Sequence, residues 1–266
     1  MIRYIALVWL GVSLVAHSAD ACGTDTDCSI GDDRHYRVYL PDDRAPGAAL
    51  VFAHGYRGSA KGTMRNKNLR RMADRLGVAF IAIKSGGADW VLPNAPSNDG
   101  RSKIDELAYL DAVLNDAGKR FGIRPEKTVM TGFSAGGMMT WTVACGRGDR
   151  LAGYIPVSGT FWAPMPSDCN AKPAPLIHIH GLSDKIVPLT GRPIGNTHQG
   201  DIPKALDMYA THGAFSQASP IALADELSCT ARSNTRNQPL IFCTHPGGHS
   251  FKSAWIEAAW QKLKQP

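Results

Sequence analysis

The alternation of short apolar runs with longer amphipathic stretches constrains this chain most. Apolar runs fall at 35–40, 49–54, 78–84, 127–131, 153–158, 175–180 and 239–244. Helix-like stretches fall at 65–76, 103–121, 135–145, 202–212 and 251–263. After the opening runs the two kinds alternate, and that order implies parallel strands joined by crossover helices. The expected fold class is α/β, with a mostly parallel central sheet and helices on both faces. The longest stretch has a clear helical face: Ile104, Leu107, Leu110, Leu114, Ala117 and Phe121 recur at three- and four-residue steps, opposite Asp105, Asp116, Lys119 and Arg120. Only turn-like residues, Pro41 to Gly47, separate the first two runs, so an antiparallel hairpin is expected there.

The first residues read as an export leader. Arg3 gives a positive start, and Ile5 to Ala16 is an apolar run too short to span a bilayer. Small residues follow at Ala16, Ser18, Ala19 and Ala21, so residues 1–21 are expected to be a signal peptide. The competing readings are an uncleaved anchor and a lipid-modified Cys22, for which Asp20 and Ala21 make a poor context. No repeat or low-complexity linker interrupts 22–266, which is expected to be one domain, monomeric and secreted or periplasmic. The 44% hydrophobic and 20% charged content exclude a disordered or fibrous chain. The net charge of +6 comes with no dense basic run, so neither nucleic acid nor stable membrane insertion is expected.

Export makes the six cysteines candidates for pairing. Six allow fifteen connectivities, and sequence alone does not choose among them. The sequential set is preferred: Cys22–Cys28, Cys145–Cys169 and Cys229–Cys243. The last pair flanks a turn-rich stretch between two expected strands, where a cross-strand bridge forms easily. No CxxC occurs, which argues against structural zinc and thioredoxin-like redox chemistry.

In open α/β sheets the chemistry gathers outside the carboxyl ends of the strands. Four such ends carry polar residues. The first is Gly132-Phe133-Ser134-Ala135-Gly136, a G-x-S-x-G between an apolar strand and a helix-compatible run. That is the setting of a nucleophile held in a sharp turn, where flanking glycines avoid side-chain clash. The second is His54-Gly55-Tyr56-Arg57-Gly58, an oxyanion-loop pattern. The backbone N–H groups of Tyr56 and Ala135 are the expected oxyanion donors, with His54 bracing the loop. The third, His180-Gly181-Leu182-Ser183-Asp184, supplies a carboxylate after the serine. The fourth, His245-Pro246-Gly247-Gly248-His249, supplies the imidazole, with His245 as the alternative to His249. The order Ser134, Asp184, His249 is that of α/β-hydrolases and differs from other serine-hydrolase orders. Zinc at His178 and His180 is the competing chemistry; no H-E-x-x-H accompanies them, and no metal is expected.

These motifs resemble the secreted polyhydroxybutyrate depolymerase and feruloyl-esterase-like family of α/β-hydrolases. The likeness runs from about Arg37 to Ser253 and includes the acidic helix start Asp105-Glu106-Leu107, Val187-Pro188 and Gly247-Gly248-His249. It implies an α/β-hydrolase fold, serine carboxylesterase activity through an acyl-enzyme at Ser134, and no cofactor. The substrates it implies are hydroxyalkanoate oligomers or polymer, aryl and acyl esters, hydroxycinnamoyl esters or acetylated sugars. Phe251 stands where a tryptophan is common in the family. No linker and binding domain follows the catalytic region, so soluble esters or oligomers are expected rather than solid polymer. Trp90 and Trp162 are the expected substrate-binding aromatics, against the plainer reading of core residues. Two further readings compete: a peptidase using the same triad, and an inactive hydrolase-fold binding protein.

Overall fold

The structure, a computed structural model, describes residues 22–264 apart from residue 32 and residues 42–45. The expected leader at 1–21 lies outside the described residues. In chain order the elements are β1 (Cys28–Ile30), β2 (Arg34–Tyr39), β3 (Ala49–Ala53), α1 (Ala60–Met64), α2 (Lys67–Leu76), β4 (Ala79–Ile83), α3 (Glu106–Phe121), β5 (Val129–Phe133), α4 (Ala135–Gly146) and β6 (Gly153–Val157). They continue with β7 (Trp162–Ala163), β8 (Leu176–Gly181), β9 (Pro193–Ile194), β10 (Thr197–Gln199), α5 (Ile202–His212), β11 (Ser219–Ile221), β12 (Ser228–Ser233), β13 (Pro239–His245) and α6 (Ser253–Lys264).

Ten strands form one sheet in the order β1-β2-β4-β3-β5-β6-β8-β13-β12-β11. The six from β4 to β13 pair in parallel, and an antiparallel pair closes each edge. Every residue of β3, β4 and β6 is buried, which is why these strands read as unbroken apolar runs. Their side chains still alternate between two cores. Ala49, Val51 and Ala53 of β3 face the layer of α3, α4 and α5. Leu50 and Phe52 face the layer of α1, α2 and α6.

The hairpin expected at the start does not form. β2 pairs antiparallel with β4, and β3 lies between β4 and β5. A strand buried on both faces belongs in the parallel interior, whereas half-buried β2 tolerates a place nearer the edge. The connection from Tyr39 to Ala49 steps over one strand, about 10 Å, well within the reach of its residues.

The buried stripe of α3 is also shifted from the expected one. It runs through Glu106, Tyr109, Leu110, Val113, Leu114 and Ala117, with Leu107 and Phe121 half-buried at its border. The helix begins after Asp105, whose carboxylate caps the N–H groups of Leu107 and Ala108, so the expected first turn from 103 is loop. The two- and three-residue strands β1, β7, β9, β10 and β11 are too short to show a period in sequence. β7, β10 and β9 form a separate three-stranded sheet.

The six cysteines form Cys22–Cys28, Cys145–Cys169 and Cys229–Cys243. Cys229 and Cys243 are directly opposed on β12 and β13. Cys145–Cys169 ties the last turn of α4 to the loop before β8. Replacing both Cys145 and Cys169 by alanine is expected to lower the unfolding free energy by about 3 kcal/mol, through the greater freedom of the unfolded chain. Urea unfolding followed by circular dichroism measures it.

Candidate active site

Strand β5 runs into α4 through Ser134, whose φ of 59° and ψ of −122° are unfavourable for any residue but glycine. Neighbouring backbone holds it there. Its N–H donates to the Val157 carbonyl at 2.9 Å, and its carbonyl accepts from Met138 N at 3.0 Å. The glycines of the motif have a measurable reason. A Cβ on Gly132 would stand 2.1 Å from the Gly136 oxygen, and one on Gly136 would stand 1.9 Å from the Ala53 oxygen. A Cβ on Gly159, in the loop after β6, would stand 2.4 Å from the Ser134 oxygen. Strand, turn and helix meet backbone to backbone, and no side chain fits between them.

The loop after β3 passes beside the serine: a Cβ on Gly55 would stand 3.5 Å from the Ser134 Cβ. His54 braces it from within. Its Nδ1 lies 2.8 Å from the Gly55 oxygen, and its Nε2 accepts from Ser85 N at 3.2 Å. Arg57 N donates to the Ala88 oxygen at 2.9 Å, tying this loop to the one after β4. Among the described residues, neither the Tyr56 nor the Ala135 N–H enters the turn, loop and cap hydrogen bonds.

β8 and β13 are parallel neighbours, so their following loops emerge side by side. A Cβ on Gly181 would stand 2.3 Å from the Gly248 oxygen, so the two loops touch through glycine backbone. Asp184 is 5% exposed and has four polar neighbours. Its Oδ1 accepts from the N–H groups of Ile186 and Val187, both at 2.9 Å. Its Oδ2 lies 2.7 Å from His249 Nδ1 and 3.6 Å from His180 Nε2. Burial pushes the Asp184 carboxyl up, but the bonds from His249, Val187 and Ile186 outweigh it and hold it below the usual carboxylate value. The His249 ring packs 4.6 Å from that of Phe133, the residue before Ser134. His245, the alternative imidazole, accepts from Gly247 N at 3.1 Å and packs on Trp255 at 4.5 Å; it has no bond to Asp184. Ser134, Asp184 and His249 thus sit on three adjoining loops.

A cavity of about 870 Å³ opens beside Ser134, walled by Tyr56, Ala135, Met138, Val187, Trp162 and the loop after β4. Trp162 sits directly opposite Gln199 in the small sheet, and both line this cavity. Trp90 does not. It is 1% exposed, and its Nε1–H donates to the His54 oxygen at 2.9 Å, so the expected substrate contact at Trp90 is corrected to a core role beneath the loop after β3. His178 and His180 bond to each other at 3.1 Å instead of converging with further ligands. Among the described residues, no group of three His, Cys, Asp or Glu is placed to hold a metal ion.

Glu106, which in the sequence stands out only as part of an acidic helix start, has a larger part in the site. Its buried carboxylate accepts from Arg34 Nη2 at 2.7 Å, Val91 N at 3.1 Å and Gly86 N at 3.2 Å. It therefore clamps the loop that walls the cavity. The signal available was an acidic residue at a position whose spacing faces the core.

A family model described as phospholipase/carboxylesterase matches residues 35–199. A feruloyl esterase C of Emericella nidulans is 28% identical over 206 residues, covering 72% of this chain and 73% of that protein. A protein of Nocardia uniformis subsp. tsuyamanensis named as an esterase is 29% identical over 65% of this chain, and the match spans 52% of its own length. A bifunctional acetylxylan esterase/xylanase of Neocallimastix patriciarum is 23% identical, and the match spans 22% of it. Among solved structures, an acetyl xylan esterase from Aspergillus awamori superposes with a TM-score of 0.62 at 13% identity, covering 90% of this chain and 98% of that one. Esterase PE8 superposes with a TM-score of 0.55 at 19% identity, covering 85% and 96%. The fold they share with this chain is the α/β-hydrolase fold.

Burial pushes the His54 imidazole down to about 4 from its ordinary 6.5. The unfolded chain therefore binds a proton at His54 between those values and the folded chain does not, so stability falls as pH drops through this window. The contribution is about 3 kcal/mol. Urea unfolding at pH 7 and pH 4.5 is expected to show this loss, and His54→Gln is expected to show a smaller difference between the two.

Proposed function

The chain belongs to the phospholipase/carboxylesterase family, and we propose that it is an exported serine carboxylesterase. In this reading Ser134 is the nucleophile, His249 the general base and acid, and Asp184 the carboxylate that orients the imidazole. The observation that carries it is the 2.7 Å contact of Asp184 with His249 Nδ1, beside a serine held at positive φ. The ionised carboxylate only accepts, so His249 carries its proton on Nδ1 and leaves Nε2 free to take one. The proton of Ser134 moves to Nε2 as Oγ attacks the ester carbonyl. The N–H groups of Tyr56 and Ala135 receive the oxyanion, aided by the N-terminal end of α4. Each such donor lowers the barrier by about 3 kcal/mol. His249 then gives its proton to the leaving alcohol. A water deprotonated by the same imidazole cleaves the acyl-enzyme and releases the acid.

The three bridges support export to an oxidising compartment. The cavity supports an acyl or aryl group of moderate size, with Met138, Val187 and Trp162 as apolar walls. Among the described residues, Tyr56, Leu182 and Ile186 are the exposed large apolar side chains, at 59%, 59% and 50%, and all three belong to the loops around Ser134 and Asp184. That placement supports substrates with apolar bulk beyond the cavity, such as hydroxyalkanoate oligomers or longer acyl and aryl esters. Feruloyl or acetylxylan ester hydrolysis is the second reading, favoured by the names of the relatives.

Ser134→Ala is expected to abolish ester hydrolysis and fluorophosphonate labelling while circular dichroism stays native; persistent labelling would refute the assignment. A panel of p-nitrophenyl acyl esters, hydroxybutyrate oligomers, methyl ferulate and acetylated xylan, ranked by kcat/KM, decides among substrates. The double substitution Leu182→Ser, Ile186→Ser is expected to raise KM for long-chain p-nitrophenyl esters by about fivefold, through lost apolar contact. Its KM for p-nitrophenyl acetate is expected to change less than about twofold.

A further inference from the structure

His178 and His180 are fully buried, and the ester-cleaving steps leave them unused. Their rings stack with centroids 5.2 Å apart. From α4, the Trp141 Nε1–H reaches His178 Nδ1 at 3.2 Å. His178 Nε2 lies 3.1 Å from His180 Nδ1, and His180 Nε2 lies 2.7 Å from the Val187 oxygen. An indole N–H only donates, and a carbonyl oxygen only accepts. Those two ends fix every proton between them. His178 accepts at Nδ1 and donates from Nε2; His180 accepts at Nδ1 and donates from Nε2 to Val187. Burial pushes both imidazoles below their ordinary value, which keeps them in the neutral form this pattern needs.

The far end of the line meets the acid loop. Val187 N–H donates to Asp184 Oδ1 at 2.9 Å, so Val187 is anchored through its oxygen to His180 and through its nitrogen to Asp184. The His180 Nε2–H also stands 3.6 Å from Asp184 Oδ2, too far for a hydrogen bond but near enough to favour the carboxylate charge. With the protons reversed, the bare Nε2 of His180 would face both the Val187 oxygen and that carboxylate. A donor-only side chain at position 141 prevents the reversal.

We infer that Trp141, His178 and His180 are positioning residues: a one-way hydrogen-bond line from the helix behind Ser134 that holds Asp184 in register with His249. The inference rests on the triad reading of Ser134, Asp184 and His249. Trp141→Phe deletes the donor and keeps a ring against Phe161 and Tyr209, 5.4 and 5.7 Å away. With p-nitrophenyl acetate, kcat is expected to fall about tenfold and KM to move less than about twofold. The decisive measurement is the same substitution on an Asp184→Asn background, where a line acting through Asp184 leaves kcat within about twofold of Asp184→Asn alone. An undiminished tenfold loss on that background, or an unchanged kcat for Trp141→Phe alone, overturns the inference. If Trp141→Phe fails to fold, His178→Phe, which keeps the stack on Phe242, cuts the line at its centre and is read in the same cycle. Fluorophosphonate labelling of the unsubstituted protein at Ser134 separates the two levels. Its absence overturns the triad reading, whereas labelling with additive losses overturns the line alone.

Discussion

Close backbone contact between β3, β5 and the first turn of α4 is the constraint on which the rest of the site depends. The Gly136 Cα lies so near the Ala53 carbonyl that a Cβ would stand 1.9 Å from its oxygen. This contact sets the angle at which α4 leaves the sheet. It brings the first turn of α4, entered through Ser134 at positive φ, against the end of β3 and the start of the loop that follows Ala53. A helix one side-chain radius further away would relax the serine and separate the two expected oxyanion donors. The strain at Ser134 is offset by its bonds to Val157 and Met138 and by the apolar burial of nearly all of α4.

The parallel strand order turns that local geometry into a site. β3, β5, β8 and β13 all end on one side of the sheet, with β6 between β5 and β8. The loops after β8 and β13 meet through glycine backbone, which brings Asp184 to His249 without any long side chain reaching across. The structure then adds walls from segments outside the regular alternation. Glu106 clamps the loop after β4, and the small sheet of β7, β10 and β9 brings Trp162 and Gln199 to the opposite side.

The parts of the site legible in the sequence were those that local chemistry specifies. Gly132, Ser134 and Gly136 announce a turn that only those residue types tolerate. Asp184 and His249 follow strands recognisable by composition, in an order that few arrangements share. The unread parts depend on distant partners. Trp90 and Trp162 look alike as tryptophans in loops after strands. One is sealed under the loop after β3 by a bond to the His54 oxygen, and the other lines the cavity. The opening hairpin failed for a similar reason, because the proximity of β2 and β3 in sequence says nothing of β4 taking the place between them. The buried stripe of α3 was displaced because Tyr109 and Glu106 bond inward, which hydrophobicity alone does not register.

The sequence by itself determined the alternation of elements, the α/β class, the elbow glycines and the residue types available for catalysis. These follow from periodicity and backbone sterics, which act over a few neighbouring residues. Only the tertiary structure decided which strand lies beside which and which tryptophan faces the cavity. It alone brought His178 and His180 into line between Trp141 and Val187. Those outcomes follow from burial and hydrogen-bond pairing between residues far apart in the chain, and such pairing exists only once the sheet has assembled.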